Sequence, residues 1–212
     1  AGASRDPFVL LGAIAARTSR VRLGTLVANI YNRHPAQLAL AIDSLAGLAP
    51  GRVVCGIGSG AGARSAFSGE NDALLRAAAP AAVRRAHLAE YVASLRAMWA
   101  GGDAVGSFAT SGLTGVVSGP IPRLILGGGA PAMLDLAAEI ADGVNINAGL
   151  GDGLREQVER VRAVASSGRA ADVGLPADGG FEVSVFVPVA PGEIDLAEIP
   201  DGVDRITYLV RP

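Results

Sequence analysis

With 212 residues, half of them hydrophobic, the chain is long enough for one sizeable core or two small ones and too apolar to be disordered. A formal net charge of -2 gives neither nucleic acid nor an anionic membrane an electrostatic reason to bind, although all 18 basic residues are arginines. The one cysteine, Cys55, excludes an intrachain disulfide and a cysteine-cluster metal site, and no apolar run approaches the roughly 20 residues that cross a bilayer, so a cytoplasmic protein is expected.

In chain order, Asp6-Pro7 followed by "FVLLGAIAARTSR" reads as a helix capped by Asp6, with Pro7 in its first turn and apolar positions at Phe8, Leu11, Ile14 and Ala15. "VRLGTLVAN" then reads as a buried strand. A helix from Pro35 to about Leu48 follows, closed by Pro50-Gly51, and "RVVCGIGSG" repeats the plan of a short strand ending in glycines. The stretch 61–119 reads as an insertion, with a helix at about Val83 to Trp99 and a loop rich in Gly, Ser and Thr from Gly101 to Gly119. Alternation resumes with "RLILGGG", "PAMLDLAAEIA", "GVNINAG" and "GLREQVERVRAVASS", and ends in two more strands within "FEVSVFVPVA" and "DRITYLV".

The count is six strands, at about 21–27, 52–57, 122–127, 143–147, 182–189 and 204–210. Strand and helix alternating with short turns indicate a parallel α/β sheet, and strands that repeatedly end in glycine or polar residues place a site along that edge. Periodicity alone leaves an open doubly wound sheet and a closed barrel both open.

Three stretches, "DPFVLLGAIAARTSRVRLGT", "NIYNRHPAQLALAIDSLAGLAPGRVVCGIGSG" and "LILGGGAPAMLDLAAEIADGVNIN", together resemble the bacterial luciferase-like superfamily of flavin- and deazaflavin-dependent oxidoreductases. The form Asn29-x-Tyr31-x-Arg33-His34-Pro35 is most similar to the branch resembling methylenetetrahydromethanopterin reductase, which uses the deazaflavin coenzyme F420. The resemblance implies an α/β fold of the TIM (β/α)8 type forming a single barrel domain over 1–212, with the site at the carboxyl ends of the strands. It implies an incomplete barrel, about six strands of eight, because the family's first two strands have no counterpart in the sequence.

The same resemblance implies a non-prolyl cis peptide at Leu26-Val27 backing the cofactor ring, with Asn29 facing the pocket. It places the cofactor's phosphate at the turn of Gly127, Gly128, Gly129 and Ala130 before a helix start, where backbone N–H groups point outward. Gly58, Ser59 and Gly60 form another strand end open to close approach, and Asn147 stands at the site end of its strand. For Arg33 and His34, capping the helix and bonding loop carbonyls competes with ligand contact. Asp142 is expected to be structural, His87 a solvated face residue, Met98, Trp99 and Cys55 core packing.

The function expected on this resemblance is an oxidoreductase that transfers hydride between F420 and a small organic substrate. Two alternatives stand beside it: an FMN-dependent monooxygenase of the same fold, and a non-catalytic truncated paralogue that binds flavin or dimerises. The expected partners are a small-molecule substrate and a homodimer mate, with no metal; no residue is assigned as acid or base.

Overall fold

The computed structural model describes residues 5–63, 65, 68–113, 119–147, 152–168, 180–187 and 196–208. The chain divides into two compact units, Ala1–Pro122 and Arg123–Pro212.

In the first unit α1 (Pro7–Ala15) begins as the sequence predicts: Asp6 Oδ1 accepts from the amides of Phe8 (2.9 Å) and Val9 (3.2 Å). It ends earlier than expected, at Ala15, where Thr18 turns its hydroxyl back onto the Ile14 carbonyl. The predicted strand 21–27 is two short pieces, β1 (Leu23–Gly24) and β2 (Ala28–Asn29), and both pair in parallel with β3 (Val53–Gly58). Between them runs α2 (Pro35–Leu48), with the predicted bounds. Its Leu38, Ile42 and Leu45 recur at helical spacing and are buried.

After β3 come the short α3 (Gly69–Ala73) and the long α4 (Ala81–Trp99). Leu88, Tyr91, Val92, Leu95, Met98 and Trp99 form the buried stripe of α4. With α2 and with Val53, Cys55 and Ile57 of β3 they make the core of this unit. Cys55, Met98 and Trp99 are thus packing residues, as expected. The segment after α4 is folded around Asp103, whose carboxylate accepts from Thr110 Oγ1 (2.9 Å), Gly112 N (2.9 Å) and Leu113 N (3.2 Å).

The second unit repeats the βα plan with β4 (Arg123–Gly127), α5 (Pro131–Ile140), β5 (Gly143–Ile146), α6 (Asp152–Gly168), β6 (Glu182–Val187) and β7 (Arg205–Tyr208). All four strands are parallel, in the order β4-β5-β6-β7. Leu124, Leu126, Val144, Ile146, Val183 and Val185 are buried among Leu134 and Ala137 of α5 and Leu154, Val158 and Val161 of α6. Such continuous burial along strands is what a parallel sheet covered by helices requires. The last residues of the predicted strands 182–189 and 204–210 lie outside the described residues. Among the described residues, no helix is long and apolar enough to cross a membrane.

Candidate functional site

The strand ends of the first unit build a wall. Past β1, Thr25 donates its hydroxyl to the Gly56 carbonyl at 2.5 Å, and any Cβ at position 56 would collide with the Thr25 carbonyl, so glycine is what allows the two strands to approach here. The next peptide, Leu26-Val27, is cis, as the resemblance implied. Leu26 is 45% and Val27 36% exposed, an apolar pair left open where Cys55 to Gly58 of the neighbouring strand are buried. β2 then rejoins the sheet, with Asn29 paired in register to Gly58.

Asn29 caps the 3-10 turn Ile30–Asn32: its Oδ1 accepts from Tyr31 N (3.0 Å), while its Nδ2 donates to Glu70 Oε2 (2.9 Å). Gly60, at φ +70°, lies so close that an added Cβ would sit 3.0 Å from Asn29 Oδ1 and 3.1 Å from the Tyr31 ring. Gly58 is buried and Ser59 half-buried at the same strand end. The structure therefore brings Leu26, Val27, Asn29, Gly58, Ser59 and Gly60 together.

Arg33 and His34 follow the structural alternative. Arg33 pairs with Asp6 and lies over the Phe8 ring, 4.8 Å from its centroid. His34 Nδ1 accepts from Ala36 N at 3.2 Å and so caps α2. Tyr91 donates its hydroxyl to the Arg33 carbonyl (3.1 Å), and burial raises the pKa of that hydroxyl far above the ordinary phenol value, so it stays neutral. His87 departs from expectation. It is half-buried, stacked on Tyr31 at 4.8 Å and 5.0 Å from Phe108, because the turn after β2 and the segment after α4 both reach its helix face.

In the second unit β4 runs into the glycine turn. The Gly128 amide is already spent on the Asn145 carbonyl (3.0 Å), and Met133 N and Leu134 N both donate to Ala130 O. The amides of Gly129, Ala130 and Ala132 find no acceptor among the described residues, and the N-cap Ala130 has no side-chain oxygen to offer. Pro131 at the first helical position has no N–H to satisfy. This helix start differs from α1 and α2, whose first amides are met by Asp6 and His34. An outward-facing group of amides at the positive end of a ten-residue helix suits an anion such as phosphate.

Gln157 of α6 reaches this turn, donating Nε2 to Gly129 O at 2.7 Å, while its buried Oε1 has no partner among the described residues. Asn147 is exposed at the end of β5, its carbonyl 3.6 Å from where a Gly129 Cβ would stand. Asn145 is instead buried and turned to Ser184, donating Nδ2 to Oγ at 2.9 Å. Asp142 is structural as expected: its buried carboxylate accepts from Leu124 N (2.8 Å) and fixes the start of β4. No group of His, Cys, Asp or Glu among the described residues could hold a metal ion.

Sequence reasoning missed Glu70, Gln157 and Phe108. Glu70 sits in a stretch read as insertion, and Gln157 is one of several polar residues on an amphipathic helix. Only the cluster "GENDA" at 69–73, polar residues ahead of apolar Leu74-Leu75, hints that the insertion holds a turn of helix.

The profile of the luciferase-like monooxygenase family matches residues 1–197. The chain belongs to that family. An uncharacterized protein of Mycobacterium tuberculosis is 35% identical over 144 residues, 65% of this chain and 48% of that protein. The 5,10-methylenetetrahydromethanopterin reductase of Methanolobus tindarius is 33% identical over 148 residues, 68% of this chain and 43% of the reductase. The solved coenzyme F420 dependent tetrahydromethanopterin reductase of Methanopyrus kandleri shares the fold, with a TM-score of 0.66 at 22% identity, over 87% of this chain and 55% of that one. The fold class is accordingly an α/β barrel of the TIM type, incomplete, and the chain spans about half the length of the curated relatives it matches.

Proposed function

We propose that this chain carries the cofactor-binding part of an F420-dependent oxidoreductase acting on a small organic substrate. The observation that carries the reading is the start of α5, where the Gly129, Ala130 and Ala132 amides have no acceptor among the described residues and the helix has no side-chain cap there. Those amides would hold the phosphate of the cofactor. In the first unit the exposed apolar pair Leu26 and Val27 suits the face of a flat ring, and Asn29, Ser59 and Gly60 border it.

When bound, F420 supplies a hydride donor or acceptor at its C5. The residues of this chain would bind and orient: in the first unit apolar surface would keep water from a ring face, and in the second the open amides would take an anionic group without a lysine, which the sequence lacks. The motif Asn29-x-Tyr31-x-Arg33-His34-Pro35 favours F420 over FMN. The family's own description, as luciferase-like monooxygenases, keeps FMN as the second reading.

The test is titration of the full chain with F420 and with FMN side by side, followed by fluorescence quenching. Saturable binding with F420 preferred by tenfold or more, about 1.4 kcal/mol, supports the proposal. Preference for FMN replaces it with the monooxygenase reading, and binding of neither overturns both.

A further inference from the structure

A helix of five residues is too short to hold itself together, and α3 is followed by Leu74 and Leu75, 56% and 95% exposed, so apolar burial does not explain where this stretch lies. Its polar side chains do. Asn71 is buried and donates Nδ2 to the Ala61 carbonyl (3.1 Å), fastening α3 to the chain that leaves β3. Glu70 Oε2 accepts from Asn29 Nδ2 (2.9 Å) and from Asn32 Nδ2 (3.1 Å), the two carboxamides that flank the turn beyond the Leu26-Val27 wall. Arg76 donates its amide to the Asn71 carbonyl (2.8 Å), places its guanidinium on Asn32 Oδ1 (3.0 Å) and lies over the Tyr31 ring at 5.7 Å.

The geometry points to Glu70 as the positioning residue of the cofactor wall, acting through Asn29 and Asn32; this rests on the cofactor reading above. The logic is one of satisfied valences. Asn29 Oδ1 is held by Tyr31 N and one Nδ2 hydrogen by Glu70, so the carboxamide is fixed at both ends and its orientation at the strand end is set before any ligand arrives. A single charged acceptor serving two amide donors across about forty residues of sequence is a stronger tie than two neutral bonds. Remove it, and Asn29 keeps only its local cap while α3 keeps only Asn71 and Arg76. The strand-end turn then has several orientations to choose among.

The experiment is a mutant cycle on the full chain with F420 as the probe. Glu70→Ala should weaken binding about tenfold, the scale of a hydrogen bond to a charged group. Glu70→Gln, which keeps an acceptor oxygen, should weaken it less. In an Asn29→Ala, Asn32→Ala background, Glu70→Ala should change affinity by less than about twofold, because coupled residues do not add. Effects that multiply in that background, or an unchanged affinity in both single variants, overturn the positioning role. The amide NMR spectrum of the ligand-free protein supplies a second reading: Glu70→Gln should shift the side-chain NH2 signals of Asn29 and Asn32 together. If the wild-type chain binds neither F420 nor FMN, the cofactor reading fails and this spectrum alone decides. Unmoved signals then overturn the tie itself.

Discussion

The two strand-end regions treat their polar groups in opposite ways. Around Leu26 to Gly60 the side chains of Thr25, Asn29, Asn32 and His34 all have internal partners: Asn29 bonds Tyr31 N and Glu70, Asn32 bonds Glu70 and Arg76, His34 caps α2, and Thr25 bonds Gly56. Beside them Leu26 and Val27 stand open as exposed apolar side chains. Around Gly127 to Ala132 the reverse holds, with three amides at a helix start that have no acceptor among the described residues. A closed polar network shapes a surface, whereas an open set of donors offers affinity to an anion. One region therefore looks built to be leaned on, the other to be bonded to.

The largest effect should come from closing the open region. Ala130→Asp places a capping carboxylate at the start of α5, which should raise stability by about 1 kcal/mol and weaken F420 binding by about ten- to a hundredfold, since the same amides are lost to the ligand and a like charge is added. Thermal denaturation and the quenching titration must move in opposite directions. Parallel losses in both would sink the assignment of this turn to an anion.

Next in size is a change that crowds the closed region. Gly60→Ala puts a side chain at φ +70° against Asn29 Oδ1 and the Tyr31 ring, and should cost more than about 1 kcal/mol in denaturant unfolding. Smaller still is a pH effect. Hydrogen bonds from Ser107 to Glu90, and from Gly112, Thr110 and Leu113 to Asp103, hold both carboxyls below their ordinary values of 4.5 and 3.8. Their folded pKa values being depressed, the contribution is fully present above those ordinary values and fades as pH falls through the lower, folded ones. The protection of amides between residues 103 and 113, relative to their intrinsic exchange rate at each pH, should therefore fall below about pH 4 before the core of either unit responds. The smallest effect belongs to the exposed pair of Asp135 and Arg160, where Arg160→Ala should change stability by less than about 1 kcal/mol.

Much of this molecule can be read from its residues. The bounds of α2 follow from Pro35 and Pro50-Gly51, α1 starts where Asp6-Pro7 says it must, and the four strands of the second unit lie where their β-branched runs do. The first strand shows the limit. Hydrophobic content over 21–27 predicts one continuous strand, yet the backbone leaves the ladder between Gly24 and Ala28, and composition carries no trace of that break. It was foreseeable only from the likeness to a family. Glu70, Gln157 and His87 were illegible for a different reason: their roles depend on partners 41, 28 and 56 positions away, which no local pattern encodes. Arg33 and His34, conspicuous in the sequence, turn out to serve the fold.

The lone cysteine gives the molecule a practical property. Cys55 is wholly enclosed in β3, so a thiol-reactive dye should pass it by in the native state. Cysteines introduced at exposed positions such as Leu75 and Ala130 would then take a donor and acceptor fluorophore without competition. The chain is thus ready for labelling at chosen sites, so that a fluorophore at either one can report the addition of a coenzyme.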